Sequence, residues 1–274
     1  MAELYFLGNT SDCQMFGCII LSGDKTVVID GGTESDSVQL YEMIMEKSSG
    51  SVDAWFFTHP HHDHIGAFLK MCKTNPGIQI ERIYHKFPSV DELKKYGARY
   101  EEEADMWMEF DRLTNTTFHG KVCHVKKDDV FAFDEIKVTV LRVYNSHIKS
   151  NFVNNSSALY RIDSPRKSIL ILGDLGVEGG NELAAMYGDA LKCDICQLAH
   201  HGQTGVGENV YDLAAPDFCI CTAPKWSWEN LGRSGPGTGP FRCAETMAMP
   251  SIARATTTVV YMDGTRELEL PLKY

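Results

Sequence analysis

Along the chain, apolar residues gather in short runs broken by polar punctuation. LYFL (4–7), GCIIL (17–21), TVVID (26–30), DAWFF (53–57) and IERIYH (80–85) form a first series of strand length. KVTVLRV (137–143), SALYRI (157–162), SILILG (168–173), ICQLA (195–199), FCICT (218–222) and TTVVYM (257–262) form a second. Most end at Gly, Asp, Asn or His, as strands bounded by turns do. Between them the spacing turns helical. Val38, Leu40, Tyr41, Ile44 and Met45 mark a helix over 37–47, and further helices are expected over 65–73 and 181–191. Strands lead each half and helices flank them, which predicts an α/β domain of two mixed sheets sandwiched between helices, spanning residues 1–274.

Two segments depart from this alternation. Residues 89–113 are charged and helical and insert between the two series. Glu101, Glu102 and Glu103 read as a solvated face, and Met106, Trp107 and Phe110 as core contacts. A cap over a pocket is the sharper alternative for this segment. Residues 223–240, APKWSWENLGRSGPGTGP, read as a long irregular loop of the kind that often carries function.

Composition narrows the class. The chain has 274 residues, 43% of them hydrophobic, enough for a large core. Its formal charge is -11, so a long nucleic acid is a poor partner and a small-molecule substrate is expected instead. The start, MAELYFLGNTSDCQMFGCII, has no basic region before its apolar residues. No apolar run approaches the roughly 20 residues of a spanning helix. Both suggest a cytoplasmic protein without a membrane partner. The nine cysteines are odd in number and suit free thiols. Cys193 and Cys196 form a C-x-x-C, but their apolar context reads as core. Cys219 and Cys221 alternate on one strand face.

The densest chemistry is FFTHPHHDHIGAF (56–68), where an apolar strand gives way to His59, His61, Asp63 and His64 before a helix. Imidazole nitrogens and carboxylate oxygens at one strand end suit zinc, manganese or iron. Alternation lets His59 and His61 face one ion and leaves Asp63 and His64 for a second position. His62 falls out of phase and is expected to point away. A histidine-rich surface turn is the bland alternative, but one turn seldom concentrates five such residues without a ligand.

These residues resemble the metallo-β-lactamase superfamily. THPHHDHIG matches its first signature, ILILGD (169–174) its strand ending in a metal-bridging Asp, and CQLAHHG (196–202) its strand ending in the last histidine ligand. The resemblance implies a four-layer αββα sandwich and two divalent metal ions, zinc first among the candidates. It implies Asp174 as the bridge and His201, rather than His200, as the last ligand. His200 is then a catalytic or substrate-contacting neighbour. Where the third signature carries a histidine, this chain has Asn154 or Asn155, and His147 lies several residues too early. That departure, with LGNTSDC and VVIDGG near the start, resembles the hydrolase domain of DNA-uptake competence channel proteins and its stand-alone relatives. The first site would comprise His59, His61, Asp174 and an Asn154 amide or water. The second would comprise Asp63, His64, Asp174 and His201. Asp30 is implied as a support for the histidine turn, or else as an ordinary turn residue before Gly31.

Such a centre implies a hydrolase using hydroxide held between two metals, with Asp63 as ligand and catalytic group. The Asn branch leans toward a phosphodiester in a small or nucleotide-like substrate. Hydrolysis of a carboxylic ester, thioester or lactone is the alternative, and a non-catalytic metal-binding module with a degraded first site a third. Asn155, Trp226 and Trp228 are candidate substrate contacts, the tryptophans as a stacking wall or as loop anchors. If they form the wall, Trp226→Ala and Trp228→Ala raise KM more than they lower kcat in steady-state kinetics. An unchanged KM in both removes the wall.

Overall fold

The strand runs segregate their side chains by alternation, and three apolar layers result. In the computed structural model, which describes residues 2–9, 11, 13–74, 77–98, 101–259 and 269–270, the first sheet contains β1 (Ala2–Phe6), β2 (Gly17–Ser22), β3 (Lys25–Asp30), β4 (Ser51–Phe56), β5 (Gln79–His85) and β6 (Val122–His124) in sequence order. The second runs β7 (Val130–Phe133), β8 (Ile136–Arg142), β9 (Leu159–Asp163), β10 (Ser168–Ile171), β11 (Ile195–Gln197), β12 (Phe218–Cys221) and β13 (Thr256–Val259). A short β14 (Glu269–Leu270) pairs with β1. Each sheet begins as an antiparallel meander and becomes parallel, the first at β3–β4 and the second at β10–β11.

Ile169 and Ile171 of β10 face the other sheet, where they join Ile29, Phe56 and Tyr160 in the inter-sheet core. Leu170 and Leu172 face the opposite way, into a core shared with Leu183 and Val210. Trp55 and Phe57 likewise turn outward beneath α1 (Ser37–Ser48) and α2 (His62–Thr74). Both faces of each sheet are covered, so the central strands read as unbroken apolar runs. The expected two mixed sheets flanked by helices are therefore present. Among the described residues no helix is long and apolar enough to cross a membrane.

Several details differ from the sequence reading. Residues 89–113 hold two helices, α3 (Val90–Tyr96) and α4 (Glu101–Asn115). A Ser89–Glu92 capping box starts α3, and Gly97 follows its last residue. The irregular loop includes a single helical turn, α5 (Phe152–Asn155) being its counterpart before β9, with α6 (Val177–Tyr187), α7 (Glu208–Ala214) and then α8 (Lys225–Trp228). The helix expected over 181–191 begins earlier, as α6, and ends in a 3-10 turn. Strands β6 and β7 were not foreseen. They are short edge strands only partly buried, and the sequence VFAF of β7 is apolar throughout although only Phe131 and Phe133 turn inward. The run at 257–262 supplies the end of β13, and its last three residues lie outside the described ones.

The cysteine expectations hold. Cys193 and Cys196 are buried free thiols, and Cys219 and Cys221 share the outer core while Ile220 faces inward.

Phe56 anchors the inter-sheet layer, stacking on Tyr84 at 4.4 Å and meeting Tyr160 edge-on at 5.1 Å. Phe56→Ala is expected to lower the unfolding free energy by about 3–5 kcal/mol, as large core truncations do. Urea denaturation reads this, and a loss below about 1 kcal/mol would contradict the packing role.

Candidate metal centre

The candidate residues lie just beyond the carboxyl ends of β3, β4, β10 and β11, on either side of each sheet's switch from antiparallel to parallel pairing. Open α/β sheets leave a crevice at such switch points. The two sheets are tied together there. Ala158 donates its backbone N–H to the Thr58 carbonyl at 2.8 Å, and the Tyr160 hydroxyl donates to the Phe57 carbonyl at 2.7 Å. Trp107 pins the following turn through its indole N–H to the Pro60 carbonyl at 2.7 Å.

Helix α2 starts at His62, three residues earlier than the pattern suggested, so Asp63 and His64 occupy its first turn. Gly66 lets this helix approach the Thr33–Glu34 backbone, because a Cβ there would meet Glu34 N at 2.7 Å. The turn faces His59 Nε2 toward His61 Nδ1 at 3.0 Å, with Asp174 Oδ2 at 3.7 Å from His59 Nε2. His64 Nε2 stands 3.3 Å from Asp174 Oδ1. His201 Nε2 stands 3.1 Å from Asp63 Oδ2 and 3.3 Å from Asp174 Oδ2. Two donor groups result, Asp63–His64–Asp174–His201 and His59–His61–Asp174, the ligand atoms of each lying within 4.8 Å of one another. Asp174 belongs to both.

These atoms converge without satisfying each other. Among the described residues, the buried side-chain atoms without a hydrogen-bond partner include Asp63 Oδ1, His64 Nε2, Asn154 Oδ1, Asp174 Oδ1 and His201 Nε2. Buried polar atoms are rarely left unpaired, and several aimed at one place indicate a ligand. The nitrogen and oxygen donor set fits a divalent ion. The crowded imidazoles and carboxylates also shift one another's ionisation. Burial alone would raise the pKa of Asp174, yet His201, His64 and His59 around it hold it well below the usual carboxylate range. Burial opposes charge on His201, but Asp174 and Asp63 raise its pKa to about 9. Burial lowers His61 to about 4, leaving its ring neutral and able to ligate.

Asp30 is more than a turn residue. Fully buried at φ 51°, it accepts the Thr58 N–H at 2.8 Å and the Thr58 hydroxyl at 2.6 Å. Its Oδ2 lies 2.7 Å from His64 Nδ1, which directs Nε2 of that ring at the centre. Such a carboxylate–imidazole pair fixes ring tautomer and orientation. His62 points outward, with 64% of its side chain exposed. His147 is exposed on a turn.

His200 and His201 both adopt positive φ, 53° and 56°, which turns the adjacent rings apart. His201 is buried against the Thr222 hydroxyl at 3.2 Å. His200 is half-buried. Its Nδ1 lies 3.3 Å from the Thr204 carbonyl and its Nε2 3.4 Å from Asn154 Nδ2. Asn154 is buried with Oδ1 unpartnered, whereas Asn155 is fully engaged. Asn155 Oδ1 accepts the N–H groups of Gly176 and Gly179 at 3.1 and 3.2 Å, and its Nδ2 donates to the Ser150 carbonyl and Glu178. The expectation that Asn155 contacts substrate is thus corrected: it caps the first turn of α6, and its amide is spent there. Trp226 packs edge-on against Phe241 at 4.7 Å, and Trp228 lies against the outer core of the second sheet.

Some supporting groups escaped the sequence reading. Buried Arg142 donates to the carbonyls of Asn155 and Ser157 at 2.9 and 3.1 Å. Gln197 donates to the Gly173 carbonyl at 3.1 Å and accepts the Leu172 N–H at 2.8 Å, setting the turn before Asp174. A glutamine within the apolar run ICQLA was the available signal. Nothing local distinguishes Arg142.

Residues 18–205 match the Metallo-beta-lactamase superfamily, and the chain belongs to that family. ComE operon protein 3 of Bacillus subtilis (strain 168) is 27% identical over 190 residues, covering 68% of this chain and 22% of that protein. The chain therefore spans less than a quarter of that relative's length. Among solved structures, the metallo-beta-lactamase fold protein YhfI from Bacillus subtilis aligns at TM-score 0.56 and 12% identity, covering 95% of this chain and 96% of that one. A B3 metallo-beta-lactamase with an active-site glutamic acid aligns at TM-score 0.50 and 16% identity, covering 77% and 83%. At these identities the structural likenesses speak for the fold.

Asp30→Asn keeps a residue type tolerant of positive φ but removes the carboxylate behind His64. It is expected to weaken divalent-ion retention by about 10–100-fold in chelator competition. Unchanged retention would reduce Asp30 to a turn residue.

Proposed function

We propose that this chain is a metal-dependent hydrolase of phosphodiesters, acting on a small or nucleotide-like substrate. The observation that carries the hydrolase reading is the pair of buried donor groups sharing Asp174, with unpartnered atoms aimed between them. His59, His61, Asp174 and the Asn154 Oδ1 would hold one divalent ion, and Asp63, His64, Asp174 and His201 the other. Zinc is the first candidate; manganese and iron suit the same nitrogen and oxygen donors. Bound ions of this kind lower the pKa of a water from about 16 to about 7 and offset charge that develops on the electrophile's oxygens.

The chain's own groups divide the remaining work. Asp63 has one oxygen against His201 and leaves Oδ1 free to hold a proton or an attacking water in place. His64 and His201 are oriented from behind by Asp30 and Thr222. His200 is assigned a positioning role: its Nε2 faces the Asn154 amide nitrogen, and Asn154 Oδ1 is left without a hydrogen-bond partner. The preference for a phosphodiester is supported by Asn154 standing where the superfamily's third signature carries histidine. In that departure the chain resembles the hydrolase domain of competence channel proteins, and the match to ComE operon protein 3 is consistent with the resemblance.

The purified protein is expected to carry about two divalent ions per chain by elemental analysis, and to hydrolyse bis-p-nitrophenyl phosphate faster than p-nitrophenyl acetate. EDTA should abolish turnover, and zinc or manganese should restore it. A preference for the acetate would move the reading to carboxylic esters. One tightly held ion with no turnover on either substrate would exclude an enzyme.

A further inference from the structure

A second feature lies beside the metal turn and is used by nothing described so far. The helices of residues 89–113 roof a cavity of about 380 Å³ against the edge of the first sheet. Its lining includes Pro60, which sits between His59 and His61, and Trp107, which holds the Pro60 carbonyl. One part of the wall is aromatic, with Phe87 and Phe110 at 4.8 Å from each other and His85 within 4.7 and 5.1 Å of them, and Ser89, Asp111, Thr114 and Asn115 add polar groups to the rest.

His85 is the informative residue. It is only 7% exposed, and among the described residues its Nε2 has no hydrogen-bond partner. Its Nδ1 accepts the backbone N–H of Phe87 at 3.4 Å. A neutral ring that accepts at Nδ1 carries its proton at Nε2, so the unpartnered atom is a donor. Burial, with His124 and Lys86 nearby, pushes the His85 pKa down to about 3, so the ring stays neutral at physiological pH. A neutral donor among aromatic rings cannot neutralise an anion itself, and Lys86, the lysine in the lining, is exposed at its rim. The donor is well matched to a planar ring with a carbonyl oxygen, which stacks on the aromatics and accepts from Nε2. A volume of this order accommodates one such ring system.

We propose that this cavity is a recognition subsite for a planar, carbonyl-bearing heterocycle, the chemistry of a nucleobase. It would hold the non-reacting part of a substrate whose scissile bond lies at the His/Asp centre, with Pro60 as the shared wall. The ligand class rests on the phosphodiesterase reading; the cavity and its unpartnered donor do not.

The test is calorimetric titration of the full chain as purified with uridine and with guanosine. Saturable binding of at least one nucleoside is expected. His85→Phe keeps the ring volume and removes the donor, and it should weaken that binding by at least about tenfold. Val90→Trp fills the cavity from its lining without touching the donor, and it serves if His85→Phe does not fold by circular dichroism. Inorganic phosphate should not displace the nucleoside. No saturable binding, unchanged affinity in the folded variants, or displacement by phosphate each overturn the subsite. Bis-p-nitrophenyl phosphate carries no base, so its turnover reports on the hydrolase proposal separately. Nucleoside binding without that turnover retains the subsite and removes the reaction; turnover without nucleoside binding does the reverse.

Discussion

Two carboxylates, Asp63 and Asp174, are buried to 5% and 1% exposure within reach of a single imidazole, His201 Nε2. Much of the surrounding architecture follows from that constraint. Carboxylates taken out of water are costly unless positive charge or hydrogen bonds replace the lost hydration. Four imidazoles crowd around this pair, and Asp30 and Thr222 brace two of them from behind. With protons on His64 and His201, the pair is only partly matched, as the unpartnered Asp63 Oδ1 and Asp174 Oδ1 record. A divalent ion bound by both groups would complete the match, and this is why the arrangement reads as a binding site and not as a stabilising ion-pair network.

Holding it requires both halves of the molecule. Asp63 belongs to the first sheet's helix and Asp174 to the turn after β10. The Thr58–Ala158 and Tyr160–Phe57 hydrogen bonds join the sheets beside them. The local backbone is strained to suit. Asp30, His200, His201 and Gly173 all have positive φ, and Gly173 leaves no room for a side chain because Thr58 lies 2.9 Å from where its Cβ would be. Non-glycine residues enter that region at a cost of about 1–2 kcal/mol each. Concentrated at one site, such strain is offset by the hydrogen bonds and packing around it.

Most of the fold was legible because alternation and helical spacing are local signals. Ile169 and Leu170 are neighbours that face different cores, and a run such as SILILG encodes that without reference to distant residues. The edge strands β6 and β7 escaped because they are short and partly exposed, and because exposed Val130 and Ala132 are as apolar in type as the inward Phe131 and Phe133. The start of α2 escaped because histidine and aspartate carry no apolar periodicity. The histidine turn itself was legible, since its residue types are too polar to end a buried strand without a ligand.

What the sequence determined, then, was the layer order, the dense turn at 59–64 and its family signatures. What tertiary structure decided was which polar groups meet. Asn154 and Asn155 are adjacent and chemically identical, yet one is buried with Oδ1 unpartnered beside His200 and the other caps α6. His200 and His201 are equally alike, yet positive φ at both turns their rings to different partners. The buried donor of His85 acquired meaning only once two helices had roofed it. Residue type and spacing report on covalent neighbours, whereas these distinctions depend on hydrogen-bond partners brought together from distant parts of the chain.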